Sequence, residues 1–248
     1  MSVRKDYCTA FGIHPIPANI TQKDFEAKCE ALVESFLALP VAQRNFLKFD
    51  IIFQNDQLKD HIMALGFPEP QPTVCLRCEY ETEANWAECL RDPDFVKAMD
   101  AGRSWGFHDG ACIFSADLVN KLDSGIPRDR NVAIGIFKVP THMSYTSFHQ
   151  KMEALIDGAL NSTKSSLTTT MYVQNQNAEE HLQAAGYPSS QPTLVVVTET
   201  QAMDEIIQVT NHAKVKNLIE AGKKDFSFHN DSIVFSADVV VKFKRPTA

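Results

Sequence analysis

His14, Asp50 and Arg77 stand inside three short apolar runs, and together they form a set able to move a proton. An imidazole titrates near neutrality, a carboxylate can orient it or accept a proton, and a guanidinium offers donors to a developing oxyanion. A second set is written twice. His108 and His229 each follow a phenylalanine and precede a turn, in FHDG and FHND. Each is either a general base at the mouth of a site or a cap on the preceding helix, with Asp109 and Asn230 orienting it or forming the turn. His61 and His181 share the spacing of a helix-packing position, and Asp117 and Asp238 close a strand end.

These residues are positioned by an internal repeat. FHDGACIFSADLV (Phe107 to Val119) answers FHNDSIVFSADVV (Phe228 to Val240), with seven of thirteen positions identical. ALGFPEPQPTV answers AAGYPSSQPTL, AFGIHPIP answers AIGIFKVP, and Phe25 answers Phe148. The offset drifts only between 123 and 120, so two copies stand in tandem, residues 1–124 and 125–248, joined near Leu122 to Arg130. Each copy reads as a short strand and a helix, opened in the first copy by Thr21, then a second strand and a short helix stopped at Gly66 or Gly186. A third strand, a second long helix ended at Gly102 or Gly222, and the FSAD strand follow. The order β-α-β-β-α-β is the ferredoxin-like unit, whose sheet has one naked face. Packing two such sheets face to face buries both.

Strand alternation then assigns the faces. Bulky Phe11 and Ile13 are expected to face the helices. Gly12, His14, Gly135 and Phe137 are expected in the interior, where glycine leaves room for a ligand. Asp50 and Ile52 join them from the second strand, Arg77 from the third, and Ser115 and Asp117 from the fourth, with Cys112, Phe114 and Ala116 on the helix side. The second copy carries Phe137, Thr170 and Val197 where the first has His14, Asp50 and Arg77. Joint loss of Asp50 and Arg77 indicates that they pair, either as part of a reactive cluster or as a structural ion pair. Tyr172 contributes to the opposite wall, and Trp105 covers the pocket or the core.

Composition narrows the function classes. A net charge of -7 argues against nucleic acid, which selects a basic surface. No apolar run is long enough for a membrane span and no secretory signal is visible, so the expected location is cytoplasmic. Cys75 and Cys78 lie three apart on a strand and point to opposite faces, so they neither chelate nor bridge. HxH, HExxH, GxGxxG and GxxxxGK[ST] are all absent, and Ser115 and Ser236 lie within strands rather than on a nucleophile elbow.

QND or QNQ, then LGFPEPQP or AGYPSSQP, then FHDG…FSAD resemble the fungal tandem EthD-type proteins of the dimeric α+β-barrel superfamily. The resemblance covers nearly the whole chain. It implies an intrachain dimeric α+β barrel of two ferredoxin-like units, in the α+β class. It also implies a choice among cofactor-free oxygenases, cyclases, isomerases, lyases, haem enzymes and members without activity. The expected function is cofactor-independent acid/base chemistry on a small hydrophobic, aromatic or polyketide-like molecule. His14, His108 or His229 would move the proton, and Asp50 and Arg77 would orient an oxygen. Gly12, Gly135, Ile52, Phe137, Trp105 and Tyr172 would line the site. No metal or other cofactor is expected. The alternatives are a non-catalytic binder, built as a homodimer or larger oligomer, and a haem enzyme with His181 or His229 as the proximal ligand.

Overall fold

The computed structural model describes residues 3–122, 131–163, 167–175 and 177–246. The linker expected near Leu122 to Arg130, and with it the boundary between residues 124 and 125, falls outside the described residues from 123 onward. The first half begins with β1 (Val3–Pro15), α1 (Gln22–Leu37) and α2 (Pro40–Asn45), then β2 (Phe46–Asn55) and α3 (Lys59–Ala64). It continues through β3 (Thr73–Tyr80), α4 (Glu83–Arg91), α5 (Pro93–Asp100), a 3-10 turn (Ala101–Trp105) and β4 (Cys112–Leu122). The second half opens with β5 (Asn131–Lys138), α6 (Tyr145–Ser162), β6 (Thr168–Asn175) and α7 (Glu179–Ala184). It ends with β7 (Thr193–Thr200), α8 (Met203–Asn211), α9 (Ala213–Phe226) and β8 (Ser232–Lys244).

Local chemistry sets most of these bounds. The Thr21 hydroxyl accepts from the Asp24 N–H at 3.1 Å and starts α1, whose buried face is Phe25, Cys29, Leu32, Val33 and Phe36. Gly66 and Gly186 adopt φ of +79° and +87°, the left-handed turn that stops α3 and α7. The single second long helix expected in each half is instead broken in two. Pro93 cannot continue α4, and the Asp92 carboxylate accepts from the Asp94 and Phe95 N–H groups to restart the chain as α5. Gly102 and Gly222 do not end these helices. They allow close packing, since a Cβ on Gly102 would lie 2.8 Å from Phe107 Cβ. Gly106, at φ +86°, and Ser227, at φ +51°, make the actual stops.

The strand order β4-β1-β3-β2 in one half and β8-β5-β7-β6 in the other closes into a single antiparallel barrel of eight strands. Pairing of β2 with β8 and of β4 with β6 makes the two seams. The expected facing sheets therefore join at their edges, which removes every open edge from the sheet. Their enclosed space is a packed core, not the pocket expected there. Phe11 lies 5.5 Å from Tyr172 and 6.3 Å from Phe114, among Ile13, Ile52, Ile134 and Val195.

The face assignment is reversed on the first strand of each half and on the fourth. Phe11, Ile13, Phe114 and Ala116 point into the barrel. Gly12, His14, Gly135 and Phe137 point to the helices instead, and so do Ile113 and Ser115. The physical reason lies two residues along the strand. A Cβ on Gly12 would lie 2.9 Å from His14 Nε2, and one on Gly135 would lie 2.5 Å from Phe137 Cε2. Each glycine makes room for a ring of its own strand. The assignments of Asp50, Ile52 and Arg77 to the interior agree with the structure.

Candidate functional site

Asp50 and Arg77 face each other across the β2–β3 ladder. Arg77 donates through Nη2 and Nε to Asp50 Oδ2 at 2.6 and 3.0 Å, and through Nη1 to the Tyr172 hydroxyl at 3.0 Å. Lys48 Nζ adds a third contact to the same oxygen at 3.0 Å. Burial opposes the guanidinium charge, but Tyr172 and Asp50 outweigh it and hold Arg77 well above its ordinary value. Burial pushes the Tyr172 phenol up to about 12, partly offset by Arg77. The cluster is an ion pair tying one wall of the barrel to the other.

His14 is not part of it. It lies on the opposite face of the wall, fully buried, with Nδ1 donating to Phe107 O at 2.8 Å and its ring stacked 3.9 Å from that of Phe107. Burial lowers its pKa to about 4, against a partial rise from the Phe107 bond, so the ring is neutral at physiological pH. His108 donates from Nε2 to Met99 O at 3.1 Å, in the last turn of α5, and stacks on Tyr187 at 4.8 Å. His229 sits edge-on to Phe228, and its Nδ1 is buried without a partner among the described residues. Trp105 packs on Phe25 and Phe107 at the outer edge of the helix layer, over the core. The structure thus brings His14 and His108 together around Phe107, apart from the Asp50–Arg77 pair, and leaves His229 in the other half.

It opens a cavity elsewhere. Between the outer face of β5, β6 and β7 and the helices α6, α8 and α9 lies an apolar space of about 210 Å³. The matching space of the first half is about 30 Å³. The cause can be read from the repeat. Phe36, Phe49, Trp86 and Phe95 interlock beneath the first-half helices, with ring centroids 5.2 to 6.2 Å apart along the chain of contacts. The second half answers with Ala159, Thr169, Ile206 and Val215, all four on the cavity wall. Four aromatic rings are replaced by small or aliphatic side chains, each of which buries less than the roughly 150–250 Å² an aromatic side chain covers. Reading the copies for loss of bulk, rather than for loss of charge, is the signal that finds this site.

The cavity is also shared between the halves. Because β2 pairs with β8, the chain leaving β2 runs onto the second half, where Ser236 Oγ holds its turn by accepting from the Leu58 N–H at 3.0 Å. The helix α3 then lies across the cavity with Leu58, His61, Ile62 and Leu65, and Phe67 follows. The converse holds for α7, whose Leu182 and following Tyr187 pack into the first-half core.

His61 is the one titratable side chain on the cavity wall among the described residues. Its Nε2 lies 2.6 Å from Thr210 Oγ1, and that hydroxyl donates to Ile206 O at 2.7 Å. With the Thr210 proton directed to Ile206 O, its oxygen accepts from His61 Nε2–H, and that tautomer keeps the lone pair of the neutral ring on Nδ1. Burial, helped by Lys216, lowers the His61 pKa. The sequence reading gave His61 to helix packing and missed its place at this wall.

A haem does not fit this cavity. Cofactor-sized sites occupy roughly 300–1,000 Å³, and neither His181 nor His229 lines it. The His181 Nε2 is taken up by Arg91 at 2.9 Å. No group of three or more His, Cys, Asp or Glu is placed to hold a metal ion among the described residues. No helix among them is long and apolar enough to cross a membrane.

Neither a protein-family model nor a curated protein matches the sequence. Solved structures do match the fold. An anthrone oxidase-like protein aligns over 100% of this chain and 99% of its own, with a TM-score of 0.60 and 8% identity. A candidate monooxygenase from Fusobacterium nucleatum subsp. nucleatum ATCC 25586 aligns over 97% and 98%, with a TM-score of 0.55 and 9% identity. A candidate monooxygenase from Lactobacillus acidophilus NCFM aligns over 95% of both chains, with a TM-score of 0.50 and 8% identity. At such identities the likeness is one of architecture: the chain shares the overall fold of these proteins.

Proposed function

We propose that the protein binds a small apolar, ring-containing molecule in the second-half cavity and transfers a proton on it without a cofactor, with His61 as the base. The observation that carries this reading is the cavity itself, about 210 Å³ in one half where the other half is filled. An engineered apolar cavity of ~150 Å³ takes up benzene, so a single or fused ring pair suits the space here. No charged side chain lines it among the described residues, which disfavours an ionic ligand. A neutral imidazole with a lone pair on Nδ1 is suited to remove a proton at neutral pH. Cyclisation, isomerisation, elimination and quinone-forming oxygenation can each begin with that step. We read the two halves as tandem ferredoxin-like units, supported by their equivalent strand orders. The resemblance to fungal tandem EthD-type proteins, and neighbours named as monooxygenases and as anthrone oxidase-like, are compatible with small-molecule chemistry.

A second reading, a binder without chemistry, is favoured by the single titratable group on an otherwise apolar wall. Two variants separate the readings. Ala159→Phe restores the ring that closes the first half and is expected to abolish ligand retention in native mass spectra. His61→Gln is expected to keep the ligand and lose turnover on a panel of aromatic and polyketide substrates. Turnover unchanged in His61→Gln would remove His61 as the base, and no turnover by the native chain on the panel would leave only the binder. Ligand retention unchanged in Ala159→Phe would remove the cavity reading, and a Soret band in the purified protein would replace the cofactor-free one.

A further inference from the structure

The second copy departs from the first at three cavity positions in one chemical sense. At the offset of 120 that relates Gln54 to Gln174, the first half has Phe49, Cys78 and Leu90 where the second has Thr169, Thr198 and Thr210. All three threonines line the cavity. Thr210 is already engaged, accepting from His61 and donating to Ile206 O. Thr169 and Thr198 are not. They stand directly opposite each other in the β6–β7 ladder, and neither hydroxyl hydrogen-bonds to another described residue. Thr169 is 3% exposed, and Thr198 is partly buried.

A hydroxyl facing an apolar cavity without a protein partner gains nothing for stability, and the equivalent first-half positions show that this fold accepts apolar side chains there. Side chains directly opposite on antiparallel strands start about 5 Å apart at Cβ, so both hydroxyls can reach one atom placed between them. We infer that the Thr169–Thr198 pair is a seat for one neutral oxygen of the ligand, which is therefore a small ring compound bearing a phenolic hydroxyl or a ring carbonyl. A hydroxyl can donate to a carbonyl and accept from a phenol, so the pair serves either. A carboxylate is excluded because no cation on the wall would balance it. This inference rests on the cavity being the ligand site and is independent of what His61 does.

The test is a titration of the full chain with 2-naphthol and with naphthalene, which share shape and differ by one oxygen. The Thr169→Val/Thr198→Val variant keeps side-chain shape and suits a strand, and near-UV circular dichroism checks its fold. It is expected to lose about tenfold in affinity for 2-naphthol and to hold or improve on naphthalene, as two neutral hydrogen bonds allow. If both probes bind the native chain and the variant leaves their affinity ratio unchanged, the oxygen seat is wrong while the cavity reading stands. If neither probe binds the native chain more tightly than Ala159→Phe, the cavity reading fails and the seat falls with it.

Discussion

His14 and Phe137 occupy equivalent places, each ring lying over a glycine of its own strand, and the contrast between them has a pH signature. The folded protein refuses a proton at His14 until about pH 4, whereas the unfolded chain accepts one near 6.5. The resulting stability is complete above pH 6.5 and is lost as pH falls toward 4, by up to about 3 kcal/mol. Substituting His14→Phe, as the second half does, is expected to flatten the decline in urea-unfolding stability between pH 6.5 and 4. An equally steep decline in the variant would show that His14 is not its source. At the barrel wall, Arg77→Val alone leaves the buried Asp50 carboxylate with Lys48 as its one counter-charge and is expected to cost up to about 3–5 kcal/mol. The pair Asp50→Thr/Arg77→Val copies Thr170 and Val197 and is expected to cost less than the single change. The Asp50–Arg77 pairing was legible in the sequence because adjacent strands and joint loss in the other copy both point to it. The position of His14 was not, since alternation gives two faces without naming them, and small residues were read as room for a ligand. Side-chain length along the strand decides the matter, and that is a three-dimensional quantity.

At the scale of elements, caps and glycines with positive φ mark boundaries that a sequence displays openly: Thr21, Gly66 and Gly186 all act as read. Gly102 and Gly222 looked alike and are not stops, because a glycine required by a neighbour's ring carries the same letter as one required by its own backbone. The two also differ from each other. The atom nearest to an added methyl is Phe107 Cβ for Gly102, but the far end of Leu155 for Gly222. Gly102→Ala is therefore expected to cost roughly 1–3 kcal/mol, and Gly222→Ala less, because a leucine tip can turn away. Thermal unfolding of both variants measures the difference, and a larger loss at Gly222 would contradict it. The break between α4 and α5 was available from Asp92–Pro93. In the second half the same break falls at His212, with no proline and no side-chain cap, and there the sequence offers no comparable sign.

At the scale of the molecule, the internal repeat pointed to two equivalent halves, but not to the closed interior or the exchange of α3 and α7 between them. Closure depends on which edges meet, and helix exchange follows from the seams rather than from any local pattern. Residues 1–122 alone would present β2 and β4 as bare edges and leave the face normally covered by β5–β8 open to water. That fragment is expected to self-associate, with β2 of one copy on β4 of another, and light scattering should find dimers or larger species. A stable monomer would show that the seams matter less than their pairing indicates.

The exchange of short helices between halves has a further consequence. In an assembly of two identical chains, symmetry would apply every substitution twice, and a change that filled one recess would fill the other. Joining the copies in one polypeptide lifts that constraint. One recess has been given over to interlocked rings that brace the structure, while the other has been hollowed out with the neighbouring copy's helix as its lid. On the function proposed above, the duplication divides labour between a support and a receptacle, and a saturated sample should hold one guest per chain, not two.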